Sequence, residues 1–324
     1  MGVAILGTGA YLPERVVTNQ DLEKIVDTSD EWIRTRTWIN TRHIGGPGDE
    51  TYLLAARAAA NALQMAEVSA GEIDLIIVAT ISSHMLMPSC ACFVQKELGA
   101  SRAFAFDINA ACSGFVYALD LADKYIQADP SKKILVIGAE TLSSRTNWED
   151  RNTCILFGDG AGAVILGYVE GSRGVIGSKL FSDGNLWSLL HMHTAPSCNP
   201  ELLQPDSPGV HIVMEGREVF KYAVKAMEEA ILALLEQEQV TLDAIKLIIP
   251  HQANIRILNN LIERLGVSAE KVFINVQKYG NTSAASIPIA LDEANRGSMV
   301  QAGDIVLLCS FGGGFTWGAT LIRW

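Results

Sequence analysis

Along this chain, short and continuously apolar runs alternate with longer stretches in which apolar residues recur every three or four positions. "EIDLIIVAT" (72–80), "AFAFDI" (103–108), "KKILVIGAE" (132–140) and "AGAVILGYV" (161–169) read as buried strands. Leu53 to Met65, Phe115 to Ile126 and Val219 to Leu235 carry helical spacing. Short β-branched runs separated by helices of about 12 or more residues predict a mostly parallel sheet covered by helices.

The order of elements repeats. An alanine-rich helix, "EIDLIIVAT", "FVQKELGAS", "AFAFDI" and a small-residue turn into "ALDLAD" are answered by Val219 to Leu235, "AIKLIIPHQ", "LIERLGVS", a strand "KVFINV" and a small-residue turn into "ALDEAN". Ile73 and Ile245 stand 172 residues apart, as do Ala118 and Ala290. "KKILVIGAE" before "AGAVILGYV" matches "GDIVLLCSF" before "WGATLIRW". The chain therefore reads as two α/β halves, 1–172 and 173–324, with the boundary near "EGSRG" where the apolar pattern breaks. The Pro-rich stretch 194–209 lies outside the repeat and reads as a long surface loop, a place for a substrate cover.

Composition narrows the class. With 324 residues, 49% of them hydrophobic, the chain can build a large core, yet no apolar run approaches the roughly 20 residues that span a bilayer. No charged-then-apolar leader opens it, so a soluble cytoplasmic protein is expected. Six cysteines in so long a chain fit no disulfide framework. "CAC" (90–92) and "HMH" (191–193) lack the further ligands a metal needs, and a net charge of −11 opposes general nucleic-acid binding.

Cys112 stands where a strand gives way to a helix. Phe115, Leu119, Ala122 and Ile126 follow at helical spacing, and Ala110, Ala111, Ser113 and Gly114 leave room for a ligand. Unpartnered N–H groups and the helix dipole at such a place favour a thiolate, which predicts a depressed pKa. Free cysteine is also an ordinary buried small residue, so the second half decides. His251 follows "LIIP" at a strand end, and Asn281 in "YGNTSAAS" holds roughly the place in the second repeat that Cys112 holds in the first. Two pseudo-symmetric halves packed together would bring the three to one cleft beyond the carboxyl ends of the strands.

"AACSGF", "PHQAN", "YGNTSAAS" and "FGGGFTWG", with "ILGTGAYLPE", "DTSDEWIRTRTWI" and "ILFGDGAGAVIL", together resemble the β-ketoacyl-acyl carrier protein synthase III family, across the whole chain. The resemblance implies a thiolase-like fold in a layered α-β-α-β-α architecture. It also implies transfer of an acyl group from coenzyme A to Cys112, then decarboxylating condensation with malonyl-acyl carrier protein. His251 and Asn281 would be the other catalytic residues, and the N–H groups of Cys112 and Gly313 the oxyanion hole. The coenzyme would be a substrate, met by Trp32 and Arg151 at the adenine, Arg36 at the phosphates, and Gly216 and Asn254 along the pantetheine arm. No metal or other cofactor is implied.

The acidic carrier protein would dock on Lys221, Arg256 and Arg264, with Arg217 and Lys225 as further candidates. The family is dimeric, and Leu142, Phe157 and the partner copy's residue 87 would line the acyl pocket. Met87 stands where a phenylalanine is frequent, which leaves primer length open, with acetyl as first choice. Glu263 stands where the family often has a lysine, which predicts a weaker or shifted docking surface.

Rival readings stay in view. A degradative thiolase needs a second catalytic cysteine where Ser310 stands, with Cys309 one position early. A cysteine hydrolase also uses Cys, His and Asn, and thioester hydrolysis is an available side reaction. An idle carrier-binding protein would not need the intact triad. A relative using longer or branched primers in specialised metabolism is the alternative within the family.

Overall fold

The computed structural model describes residues 2–195 and 209–324. Two sheets form the frame. In the first, the strands run in the order Gly2–Tyr11, Asp159–Val169, Ile134–Thr141, Leu75–Ala79, Phe104–Ile108; in the second, Ile245–Pro250, Ile305–Gly312, Thr316–Arg323, Gly174–Ser182. The first sheet ends at Val169 and the second begins at Gly174, across the turn at 170–173.

Each strand's alternation divides its side chains between two apolar faces. Leu75, Ile77, Ile134 and Val136 turn inward and Leu247, Ile249, Val306 and Leu308 meet them from the other sheet, around helices Gly114–Ala128 and Ser286–Arg296. Ile76, Val78, Leu135 and Ile137 turn outward onto helices Thr51–Ala66 and Cys90–Leu98. Ile248, Leu307 and Leu321 do the same beneath Gly216–Glu238 and Ile255–Leu265. The result is a five-layer α-β-α-β-α stack. Covering both faces explains why the strands read as unbroken apolar runs.

Two expectations are corrected. The sheets are mixed: Leu75–Ala79 is parallel to both its neighbours, and Ile245–Pro250 to Ile305–Gly312, but the other pairings are antiparallel. Ile305–Gly312 and Thr316–Arg323 are joined by three residues, which only a hairpin can do. Nor is "KVFINV" a strand; it touches the sheet through one bridge, Ile248 to Val272. The Gln252 side chain takes the place of a ladder there. Its Oε1 accepts from the N–H groups of Asn275 (2.9 Å) and Val276 (3.2 Å), and its Nε2 donates to the Phe273 carbonyl (3.0 Å). The stretch expected as a surface loop, apart from Thr194, Ala195 and Gly209, lies outside the described residues, as does Cys198.

Candidate active site

Both central helices are entered through the same device. Ala111–Ser113 and Ser283–Ala285 each make one tight turn before the helix proper, and each turn opens on a left-handed residue, Ala111 (φ 45°) or Ser283 (φ 48°). The offset is 172 residues, so Cys112 is matched by Ala284 and Asn281 by Asn109. This corrects the expectation that Asn281 mirrors Cys112. The 172-residue offset of Ala118 and Ala290 gives the same match.

The turns are held in place from the opposite strands. A Cβ on Gly138 would lie 2.1 Å from the Ala284 carbonyl oxygen, and one on Gly312 would lie 2.7 Å from the Cys112 nitrogen, so only glycine permits the approach. Ser113, fully buried, donates to the Thr316 carbonyl (2.9 Å), and Thr316 Oγ1 donates to the Ala110 carbonyl (2.8 Å). These bonds tie the nucleophile's turn to the other half.

Cys112, His251, Asn281 and Gly313 all line one cavity of about 930 Å³. The thiol does not have the depressed pKa expected of it. Burial pushes it up to about 12, against the lowering influence of the Ser283 hydroxyl and with the nearby Glu140 carboxyl adding to the rise. Desolvation outweighs the favourable helix start because the low-dielectric surroundings penalise the charged form.

His251 is buried and held neutral, its pKa lowered to about 4 by desolvation. Its Nδ1 lies 2.7 Å from Ser286 Oγ, which already accepts from the Gln252 N–H (3.3 Å). A Ser286 hydroxyl that donates to Nδ1 leaves the ring hydrogen on Nε2, and that is the tautomer assigned to His251. Asn281 is pinned through its backbone, its N–H to the Leu156 carbonyl (2.8 Å) and its carbonyl to the Gly158 N–H (3.1 Å). Its Oδ1 accepts from the Ser283 N–H (2.8 Å), so the amide's hydrogen-bearing nitrogen is the end left over. The site thus offers a thiol and two neutral N–H donors. It can accept an acyl group and stabilise an oxyanion.

Leu142 and Phe157 are buried in the cavity wall. Met87 is not in it; at 84% exposure it sits with Met85 and Leu86 on an apolar surface tip. Trp32, Arg36, Gly216, Asn254 and Arg256 line the same cavity. Asn254 caps helix Ile255–Leu265 through Oδ1, leaving its Nδ2 to face a ligand. Arg36 and Arg151 both stack on Trp32, with guanidinium carbons 4.4 Å and 5.0 Å from the ring centroid. Arg151 is also tied to Asp27. A planar base in contact with both groups would need roughly 7 Å, two carbon contacts of ~3.5 Å, more than the 5.0 Å between Arg151 and the Trp32 ring.

Among the expected docking cations, Lys221 is paired with Glu218 (2.7 Å), Lys225 with Glu229 (3.5 Å) and Arg264 with Glu228. Arg217 and Arg256, both at the cavity, form no ion pair among the described residues. The sequence reading missed Glu140, Ser283 and Ser286. Only Glu140 left a signal, a carboxylate at the end of a wholly apolar strand. The five described cysteines are free thiols, no described helix is long and apolar enough to cross a membrane, and no cluster of three metal-ligating side chains occurs among the described residues.

Family models described as 3-oxoacyl-[acyl-carrier-protein] synthase III match residues 106–184, and its C-terminal part residues 235–324. The chain is 61% identical to the beta-ketoacyl-[acyl-carrier-protein] synthase III of Desulfotalea psychrophila over 324 residues, all of both chains. The crystal structure of 3-oxoacyl-[acyl-carrier-protein] synthase III from Aquifex aeolicus superposes with a TM-score of 0.93 at 51% identity, covering 100% of each chain. The Thermus thermophilus enzyme gives 0.93 at 43% identity over 99% of each.

Proposed function

Because this chain belongs to the 3-oxoacyl-[acyl-carrier-protein] synthase III family and has its thiolase-like fold, we propose that the cavity joins an acyl group from coenzyme A to the malonyl unit of malonyl-acyl carrier protein. The observation that carries this reading is the meeting, in one cavity, of the Cys112 thiol with two N–H donors on the neutral side chains of His251 and Asn281.

In the first half-reaction Cys112 sulfur attacks the thioester carbonyl. The N–H groups of Cys112 and Gly313, neither of which donates to another residue's acceptor among the described residues, take the developing oxyanion. The carbon–sulfur bond to coenzyme A breaks, and the coenzyme leaves as the free thiol once it has taken a proton. In the second, malonyl-acyl carrier protein loses carbon dioxide and the negative charge moves to the thioester oxygen. His251 Nε2–H and Asn281 Nδ2–H stabilise that enolate, whose carbon attacks the acyl-Cys112 carbonyl and releases the Cys112 thiolate, which takes one proton from solvent to regain the thiol. A neutral histidine suits this role, since it donates without surrendering a full charge to the product.

The coenzyme's route follows Trp32, Arg36, Gly216 and Asn254, with Arg151 opening to admit the adenine. The acidic carrier protein docks first on Arg217 and Arg256; Lys221 and Arg264 contribute only by exchanging Glu218 and Glu228 for its carboxylates. The exposed tip at Met87 enters the pocket of a second copy in a homodimer, completing an acyl pocket walled by Leu142 and Phe157. Acetyl is the primer proposed first, and the protein works in the cytoplasm.

The test is the mass of acyl carrier protein after malonyl-acyl carrier protein meets the protein and a panel of acyl-coenzyme A primers. A β-ketoacyl product supports the reading, and the best primer defines the pocket. Unchanged or merely decarboxylated carrier protein with every primer overturns it in favour of hydrolysis or a specialised primer.

A further inference from the structure

Glu140 closes strand Ile134–Thr141 with no exposure to solvent. Its two oxygens differ. Oε2 accepts from Ser82 Oγ (2.5 Å), Thr80 Oγ1 (3.2 Å) and the Ile81 N–H (3.2 Å), all from the segment after Leu75–Ala79. Oε1 is buried and closes no hydrogen bond, and the same holds for the hydroxyl of Ser283. Its turn packs on both neighbours: a Cβ on Gly138, two residues before Glu140 on the same face of the strand, would lie 2.1 Å from the Ala284 carbonyl oxygen, and one on Gly114, two residues after Cys112, 3.6 Å from the Ala284 Cβ. From there the hydroxyl favours the anionic forms of Cys112 and Glu140. Ser283 and Cys112 line the cavity. A buried carboxyl with one saturated oxygen and one idle oxygen demands a reason, because an unpartnered acceptor in the interior costs about 1–3 kcal/mol.

We propose that the Ser283 hydroxyl and Glu140 Oε1 form the route by which the Cys112 proton leaves while the thiol is being acylated. As Sγ bonds to the acyl carbon, its proton passes to Ser283 Oγ and the Ser283 proton passes to Glu140 Oε1. When the tetrahedral intermediate collapses, the two transfers reverse toward the departing coenzyme sulfur, which until then shares the same carbon with Sγ. Thiol and acyl-coenzyme A become acyl-Cys112 and free coenzyme thiol, with Ser283 and Glu140 restored. Oε2 cannot take the proton without losing a donor, so the route ends on Oε1.

The electrostatics agree with this geometry. Burial raises Glu140 to about 7, where a carboxyl both takes and returns a proton near neutral pH. The titratable groups facing it are Cys112 and Cys90, the latter on helix Cys90–Leu98 beside Asp107, and both thiols are pushed up. No cation pairs with Glu140 among the described residues.

This inference rests on acylation of Cys112. The experiment measures single-turnover release of coenzyme thiol from acetyl-coenzyme A against pH for the protein, Glu140→Gln and Ser283→Ala. Malonyl-acyl carrier protein decarboxylation and iodoacetamide alkylation of Cys112 are followed alongside. The expected result is a drop of about 10²-fold in acylation in both variants, in line with the worth of a positioned proton acceptor. The rise in rate near pH 7 disappears in Glu140→Gln, while decarboxylation stays within about threefold. Alkylation, which takes the same proton from Cys112, slows in both variants as well, whereas a merely structural role would slow decarboxylation by the same factor. That joint loss of decarboxylation overturns the proposal, as does acylation that keeps its rate and pH profile in either variant. Should Glu140→Gln not fold, Ser283→Ala decides alone. If the unmodified protein releases no coenzyme, the proposed function fails first.

Discussion

The two central turns begin from the same geometry and end in different work. Asn109 and Asn281 each accept a hydrogen bond from the N–H two residues on, Ala111 at 3.3 Å and Ser283 at 2.8 Å, and each is followed by a left-handed residue. Yet Asn109 is exposed, and no backbone hydrogen bond holds it among the described residues. Asn281 is 9% exposed and clamped through its backbone to Leu156 and Gly158. In the second place of the turn stands Cys112 in one half and Ala284 in the other. Duplication supplies the turn, and what surrounds it decides whether it presents a nucleophile or a donor.

The most severe test of that contrast is to truncate both asparagines. Asn281→Ala should slow malonyl decarboxylation by about 10²–10³-fold, the usual loss for one oxyanion donor, and Asn109→Ala by less than about fivefold. Equal losses in a decarboxylation assay would mean the two turns share the work.

The halves also differ in the sign of their buried charge. His251, lowered from 6.5 to about 4, gives stability that is fully present above pH 6.5 and is lost as pH falls through 4. Glu140, raised from 4.5 to about 7, gives stability present below 4.5 and lost as pH rises through 7. Across pH 4.5–6.5 the two slopes oppose each other. Glu140→Gln should therefore uncover a rise of roughly 3 kcal/mol between pH 4 and 6.5, and His251→Ala a fall of similar size between 4.5 and 7. Urea unfolding across pH reads both, and unchanged slopes would remove these groups from the balance.

Packing comes next. Gly138→Ala should destabilise by about 2 kcal/mol, because its Cβ meets the Ala284 backbone. Gly312→Ala should displace the Cys112 turn and slow acylation more than decarboxylation. Smallest of all, Ala111→Gly relieves the left-handed backbone and should stabilise by about 1 kcal/mol in a thermal melt. No gain would mean the turn is unstrained.

Cys112, His251 and Asn281 were legible because strand ends, small residues and a repeat are written in the chain. The layering was legible for the same reason, through apolar runs too continuous for a one-sided sheet. "KVFINV" misled because a β-branched run cannot reveal that the Gln252 carboxamide will occupy its backbone. The helix start before Cys112 was visible, but the burial that outweighs it was not. Lys221 with Glu218 is a neighbour pair the chain shows directly, whereas Glu228 and Arg264 meet from two helices. Glu140 and Ser283 lie 143 residues apart, with nothing in either stretch to join them.

The central claim, that Asn281 serves decarboxylation while Cys112 takes the acyl group without it, is tested most directly by one experiment on Asn281→Ala. The intact protein is weighed after exposure to acetyl-coenzyme A, and carbon dioxide release is then followed on adding malonyl-acyl carrier protein. The account predicts complete acetylation at Cys112 with carbon dioxide release slowed at least about 10²-fold. Loss of acetylation together with decarboxylation, or normal release of carbon dioxide, would contradict it.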